Sequence, residues 1–310
     1  MMYLGLDTSN YTTSAALITD GSVISKRQLL PVKMGERGIR QSDGVFHHIK
    51  LLPELIAEIA SIYNLKKLSA VGVSEKPRNA EGSYMPVFLA GLGYARVISD
   101  TLNIPLYKFS HQDGHIMAGI YSGSAEELLN GEFLSVHLSG GTTEILKSEF
   151  SGNKFSNEII GGTRDISAGQ FIDRVGVNLG LPFPAGKPLE ELSKSAEYAV
   201  KLPVCVDGAY MNFSGIETKA SRMADSADKA ELALGVLTAV KNTLVKSLQN
   251  AVNETGIKRI LIVGGVASNE IIRHGLTDEL DAQIFFASKE LSCDNAVGIA
   301  KLTETVNQVK

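Results

Sequence analysis

Apolar positions in this chain fall into short runs separated by longer amphipathic stretches, and the same order of runs occurs twice. Alternating positions predict hairpin strands across residues 3 to 32, and a helical period predicts an amphipathic helix over Asp43 to Tyr63. A short apolar strand follows at Ala70 to Ser74, then a helix rich in Ala and Gly near Met85 to Leu102, then a strand at Ile104 to Phe109. The second half repeats the plan, with hairpins from Phe133 to about Ile160 and a mostly polar helical stretch over Ala168 to Ala199. A long helix near Ala230 to Glu254 precedes a strand at Arg259 to Gly264, and a last helix runs from Asp294. Strands followed by helices in both halves predict an α/β chain of two similar domains around a cleft. The expected boundaries are 1–128 with 294–310 for the first domain and 129–293 for the second.

The repeat is clearest at two strand-turn-strand segments, Tyr3 to Ile18 (YLGLDTSNYTTSAALI) and Phe133 to Leu146 (FLSVHLSGGTTEIL). Their turns carry small residues, Thr8 and Ser9 in one and Ser139, Gly140 and Gly141 in the other. Backbone N–H groups and short hydroxyls in such a concave array bind phosphate oxygens, although the same residues also populate ordinary hairpin turns. A third segment, KRILIVGGVASNEIIRHGL from Lys258, runs an unbroken apolar strand into Gly264 and Gly265. Buried parallel strands have this composition, and ligands of open α/β sheets sit beyond their carboxyl ends. Gly264 and Gly265 would let a base or ribose lie against bare backbone. Asn269 is placed either to hydrogen-bond that ligand or, with Ser268, to cap the following helix. The chain has neither G-x-G-x-x-G nor a Walker A lysine beside these segments, so neither Rossmann nor P-loop binding is supported.

At 310 residues, 44% hydrophobic and 21% charged, the chain can bury a large core and fits two domains. It contains neither an apolar run long enough to cross a bilayer nor a signal-peptide pattern, so a cytoplasmic protein without membrane contact is expected. Cys205 and Cys293 are too few for a disulfide framework, in keeping with a reducing compartment. A net charge of −4 argues against a broadly basic face, so any nucleic-acid contact would be local or supplied by a partner.

The sharpest chemical signal is Ser110-His111-Gln112-Asp113-Gly114-His115, directly after a strand. Ser110 with Asp113 three residues on forms a capping box that starts a helix there. His111 and His115 then lie on one helical face and can aim at one metal ion. Asp294 is the candidate third ligand, its other role being a carboxylate at a helix N-terminus. Two imidazoles and a carboxylate suit Fe(II), Zn or Mn. Gln112 excludes a metalloprotease reading, because H-E-x-x-H needs a glutamate there to take a proton from water. His47 and His48 point about 100° apart and do not share a metal. His137 sits in a strand near the second turn, and His274 is expected to meet solvent.

LGLDTSN, HQDGH, LSGGTTEI, SAGQFIDRVGVNLGLPFPAGKPLEEL, NFSGIETK, LIVGGVASN and CDNAVGIA occur in the order and spacing of a known family. The chain resembles the bacterial tRNA threonylcarbamoyladenosine transferases, once labelled glycoproteases, over nearly its whole length. The resemblance implies an actin-like ATPase (ASKHA) fold of two duplicated domains, with a divalent metal and ATP or an acyl-adenylate in the cleft. It puts the family's metal ligands on His111, His115 and Asp294. Its ligand-binding positions fall on His137, Leu138, Ser139, Gly140 and Gly141, and on Asp173, Gly186 and Asn269. Family members use homologous subunits and a separate ATPase, so a hetero-oligomer acting on tRNA is implied.

Three departures from the family mark a divergent paralogue. The Asp-Glu pair of the first turn is replaced by Tyr11 and Thr12, which removes two carboxylates beside the reacting centre and leaves the catalytic residues unassigned. A Gly-Pro-Gly segment is replaced by Ser74-Glu75-Lys76-Pro77-Arg78-Asn79, and SGGHT becomes SGGTT at Thr142. A metal-assisted threonylcarbamoyl transferase is the expected function. A small-molecule carbamoyltransferase or ATPase and a non-catalytic nucleotide-binding subunit are the two alternatives.

Overall fold

The computed structural model describes residues 1–9, 11–31, 39–288 and 295–308. The chain divides into two compact units, one of Met1–Glu126, Phe150–Ser156 and Glu290–Lys310, the other of Glu127–Glu149 and Asn157–Lys289. In chain order the strands are β1 (Met2–Asp7), β2 (Thr12–Thr19), β3 (Ser22–Leu29), β4 (Ala70–Lys76), β5 (Leu106–Ser110) and β6 (Phe133–Leu138). They continue as β7 (Thr143–Phe150), β8 (Phe155–Thr163), β9 (Val206–Asp207), β10 (Tyr210–Met211), β11 (Arg259–Val263) and β12 (Gln283–Phe286). The helices are α1 (Gln41–Ala60), α2 (Phe88–Leu102), α3 (His111–Ser122), α4 (Ala168–Asn178) and α5 (Gly186–Ser193). After them come α6 (Ser214–Met223), α7 (Lys229–Thr255), α8 (Glu270–Glu279) and α9 (Asn295–Gln308).

In the first unit the sheet order is β3-β2-β1-β4-β5. β1 pairs antiparallel with β2, Met2 opposite Thr19, and parallel with β4, Tyr3 opposite Ala70. Its side chains from Tyr3 onward are buried, as the run Tyr-Leu-Gly-Leu demands of a strand covered on both faces. One face packs Leu4, Leu6, Leu17 and Val71 against Leu52 and Leu55 of α1 and Ala95 of α2. Each such fully buried aliphatic side chain contributes roughly 1.5–3 kcal/mol. The other face is covered by α9, and Gly5 permits it: a Cβ there would lie 2.4 Å from the backbone nitrogen of Ala300.

The second unit carries a seven-stranded sheet, β12-β11-β6-β7-β8-β10-β9. Its run β8-β7-β6-β11-β12 repeats the strand order of the first unit, with β6 antiparallel to β7 and parallel to β11, and β11 parallel to β12. The duplicated sequence plan therefore builds the same sheet twice. Leu134, Val136, Ile260 and Ile262 from the strands meet Phe171, Ile216, Val236 and Leu244 from the helices in one core. α7, the longest helix described, begins where Asp228 accepts from the N–H groups of Ala230 and Glu231 at 2.9 and 3.1 Å.

The structure corrects several element expectations. Residues 168–199 hold two helices, because Gly180 takes φ +87° and the Pro182 and Pro184 segment that follows cannot continue a helix. NFSGIETK forms α6 behind the short pair β9 and β10, and QIFF forms β12, none of which the periodicity marked. Among the described residues no helix is long and apolar enough to cross a membrane.

Candidate functional site

At the carboxyl end of β1, Asp7 is 1% exposed and is the hub of a polar cluster in the first unit. Its Oδ2 accepts from the hydroxyl of Ser9 at 2.6 Å. Its Oδ1 accepts from the hydroxyl of Ser74, at the end of β4, and from Nδ1 of His111, the first residue of α3, at 3.2 Å. Burial pushes the Asp7 carboxyl up, but attraction to His111 and the hydrogen bonds from His111, Ser74 and Ser9 outweigh it and hold the group well below the usual carboxylate range.

α3 begins as its sequence requires. The Ser110 hydroxyl accepts from the N–H of Asp113, and Asp113 accepts from the N–H of Ser110, closing the capping box. Asp113 is fully buried and also takes the amide of Asn79 on both oxygens, at 2.9 and 2.7 Å. That amide reaches the carbonyl of Phe155 as well, so the charged segment after β4 is tied to the start of α3. Burial pushes the Asp113 carboxyl up, and the opposing bonds from Ser110 and Asn79 do not overcome it.

His111 and His115 are brought together, with ring centroids 4.5 Å apart and planes at 71°. The donor set fits a cation. With Nδ1 directed at a carboxylate, the arrangement metal-bound histidines commonly adopt, Nε2 is the nitrogen His111 could offer a cation. Asn295, at the start of α9, sets its amide nitrogen 3.4 Å from that Nε2, and its buried Oδ1 has no hydrogen-bond partner among the described residues. Asp294, the expected third ligand, lies outside the described residues, and no group of three His, Cys, Asp or Glu side chains suited to a metal occurs among those described.

The second unit holds a cavity of about 580 Å³ lined by Gly140, Asp173, Gly186, Gly265 and Asn269, five of the residues expected to bind a nucleotide or substrate. This volume lies in the usual range for small-molecule sites. Asp173 is anchored by the N–H of Ala185 at 2.7 Å and keeps a second carboxylate oxygen for a ligand. Asn269 caps α8, its Oδ1 accepting from the N–H of Ile272, and the residue also lines the cavity. Glu190 and Lys187 also line it, and Glu190 accepts from the N–H of Glu270 at 2.7 Å. The loop bearing Gly140 is pinned, since its carbonyl accepts from the Ser167 hydroxyl at 2.8 Å and Ser139 Oγ accepts from the N–H of Thr142 at 3.0 Å.

Other expected positions are spent elsewhere. Thr8 is fully buried, donates to the carbonyl of Val87 and accepts from the N–H of Gly91, so its hydroxyl ties β1 to α2 and is closed to a ligand. The Ser9 hydroxyl is committed to Asp7. Gly264 takes φ +105°, and a Cβ there would lie 2.2 Å from the Leu138 carbonyl oxygen, so it serves strand packing and only Gly265 of the pair reaches the cavity. Leu138 is a core residue, His137 is half-buried in β6, and Gly141 is exposed on the loop. Tyr11 is 38% exposed and accepts from the N–H of Leu30 through its carbonyl, while Thr12 opens β2. His48 is fully buried with Nδ1 on the Thr13 hydroxyl, and His274 is exposed. Sequence reasoning missed Asp7, Ser74 and Glu190; an acidic residue ending the buried strand LGLD was the one available signal.

A family model described as tRNA N6-adenosine threonylcarbamoyltransferase matches residues 33–301. The chain is 31% identical over 308 residues to a protein of that name from Thermus thermophilus, covering 97% of this chain and 91% of the other. Among solved structures, HypF of T. kodakarensis superposes with a TM-score of 0.63 at 13% identity, over 99% of this chain and 48% of that one. A ROK family glucokinase from Streptomyces griseus, in complex with glucose and AMPPNP, gives 0.55 at 11% identity over 98% of this chain and 99% of that one. These likenesses establish the actin-like ATPase fold.

Proposed function

Because the chain belongs to the family of tRNA N6-adenosine threonylcarbamoyltransferases, we propose that it transfers a threonylcarbamoyl group from an acyl-adenylate to N6 of an adenosine in tRNA. The family match over residues 33–301 carries the reading. The cavity around Asp173, Gly186 and Asn269 supports it by offering room for an adenosine, a carboxylate for ribose hydroxyls and bare backbone for a flat ring. Gly140, on the pinned loop, lines the same cavity, and glycine backbone of that kind suits the approach of a phosphate.

In the transfer, N6 of the adenosine forms a C–N bond to the carbamoyl carbon, the bond from that carbon to the phosphate oxygen breaks, AMP leaves with the electron pair, and the proton lost from N6 passes to the departing phosphate or to water. A divalent cation of the Fe, Zn or Mn class, held by Nε2 of His111, by His115 and by Asp294, would supply Lewis acidity at the carbonyl. The chain's own work is positioning. Asp173 and the glycine backbone hold the adenylate, and Asp7 with α3 holds the imidazoles, so that the rate comes from orientation and electrostatics. This division accommodates Tyr11 and Thr12 where the family has carboxylates, since a Lewis acid polarises the carbonyl without a protein base at that atom.

The test is incubation of the protein with threonylcarbamoyl-adenylate and unmodified tRNA, partner subunits supplied, followed by nucleoside mass spectrometry. Appearance of threonylcarbamoyladenosine supports the reading. Its absence, with turnover of carbamoyl phosphate and ATP instead, assigns a small-molecule acceptor. Nucleotide binding with no turnover assigns a sensing subunit.

A further inference from the structure

We propose that Asp7 is the positioning residue of His111: it fixes the ring's tautomer and direction so that Nε2, and not Nδ1, carries the lone pair. The inference rests on the reading that His111 and His115 hold a cation. Four elements converge on the pair. β1 brings Asp7, the turn after it brings Ser9, β4 brings Ser74, and α3 brings His111. Phe88 of α2 closes the ring's edge at a centroid distance of 6.2 Å, and Asn295 of α9 stands at Nε2.

Asp7 is held by two hydroxyls that only donate to it, so the carboxylate cannot turn away from His111 without stranding Ser9 or Ser74 in a buried site. A carboxylate has no proton to give at neutral pH, so the Asp7 to His111 contact of 3.2 Å requires the hydrogen on Nδ1. The lone pair is then on Nε2. The same carboxylate raises the basicity of the ring toward a cation, as second partners of ligating histidines do. Asp7 touches no substrate atom in this scheme and acts wholly through His111.

The experiment is long-range 1H–15N correlation on the 15N-labelled full chain without metal, at about pH 8 where an ordinary imidazole is neutral. His111 is assigned by comparison with His111→Gln. The wild-type chain should show the Nδ1–H form at His111. Asp7→Asn, whose amide oxygen can still accept that hydrogen, should keep this form, and Asp7→Ala should lose it. In parallel, Zn²⁺ titration by calorimetry should show Asp7→Ala weakened by about 10–100-fold, with Asp7→Asn between it and the wild type. An Nε2–H form in the wild type overturns the proposal, as does an Asp7→Ala chain with wild-type tautomer and wild-type affinity. If Asp7→Ala does not fold, the wild-type and Asp7→Asn spectra decide. A wild-type chain that shows Nδ1–H yet takes no Zn²⁺ refutes the metal reading while the hold of Asp7 on the ring stands.

Discussion

Gly169 lines the cavity of the second unit at the first turn of α4, where that helix meets the loop bearing Gly140, and its replacement by alanine probes how tightly the two are packed. A Cβ at this position would lie 2.5 Å from Cα of Gly140 and 2.5 Å from the carbonyl oxygen of Ser139. Non-bonded carbons settle at about 3.5–4.0 Å, so either the loop or the helix must shift by about 1 Å. Neither moves freely, since the Ser167 hydroxyl holds the Gly140 carbonyl at 2.8 Å and the Ala168 N–H holds the Thr143 hydroxyl at 2.9 Å. Overpacking of this kind costs about 1–3 kcal/mol. If the cost falls on the binding-competent loop, Kd for ATP rises about fivefold to 150-fold. Isothermal titration with ATP, beside thermal unfolding by circular dichroism, measures both parts. Gly215→Ala, in an exposed helical turn with no atom within 4 Å of the new carbon, is the control and should leave Kd unchanged and Tm equal or slightly raised. A Gly169→Ala chain with wild-type affinity and wild-type Tm would refute the argument that helix and loop are locked together.

Three further outcomes are expected. Gly298→Ala should lower Tm and Zn²⁺ affinity together, because its Cβ would lie 1.9 Å from the carbonyl oxygen of Gly114 and push away the helix that carries both histidines; overpacking of about 1–3 kcal/mol is the scale. Asp165→Asn should lower Tm at neutral pH, because a neutral amide oxygen accepts more weakly than the carboxylate from the donors that meet it. Burial pushes the Asp165 carboxyl up, but the Ser214 hydroxyl and the N–H groups of Phe213, Ser214 and Ile166 outweigh it and hold the group below the usual range. Its stabilisation is therefore complete above about pH 4 and is lost as the pH falls through the lowered value, so the Tm gap to the wild type should close in acid. Asp173→Ala should weaken ATP binding by about tenfold or more, on the scale of a hydrogen bond to a charged group, with Asp173→Asn losing less.

Much of this architecture is legible in the chain because it is local. The long apolar period places α7 within a residue at each end, and the capping box at Ser110 and Asp113 marks the start of α3. The break within residues 168–199 was signalled by Gly180, Pro182 and Pro184, yet the apolar spacing on either side concealed it. β9 and β10 have two residues each and β12 four, too short for any alternation to register. The site divides the same way. His111 and His115 are a helical-spacing signal and the structure puts them side by side. The role of Asp7 depends on Ser74 and His111, 67 and 104 residues away, and emerges only when three elements meet at one end of a sheet. Thr8 shows the reverse: a small hydroxyl in a suggestive turn whose partners, Val87 and Gly91, are distant in sequence and consume it.

α9 belongs to the first unit although the whole of the second is made before it. During synthesis the sheet of β1 to β5 therefore waits with the face around Ala16 and Ile18 bare until Ala296, Val297 and Ala300 emerge to cover it. The later-made unit can close while the earlier one is still open. A nascent chain arrested before Asn295 should present a protease-resistant second unit beside a chaperone-binding first one.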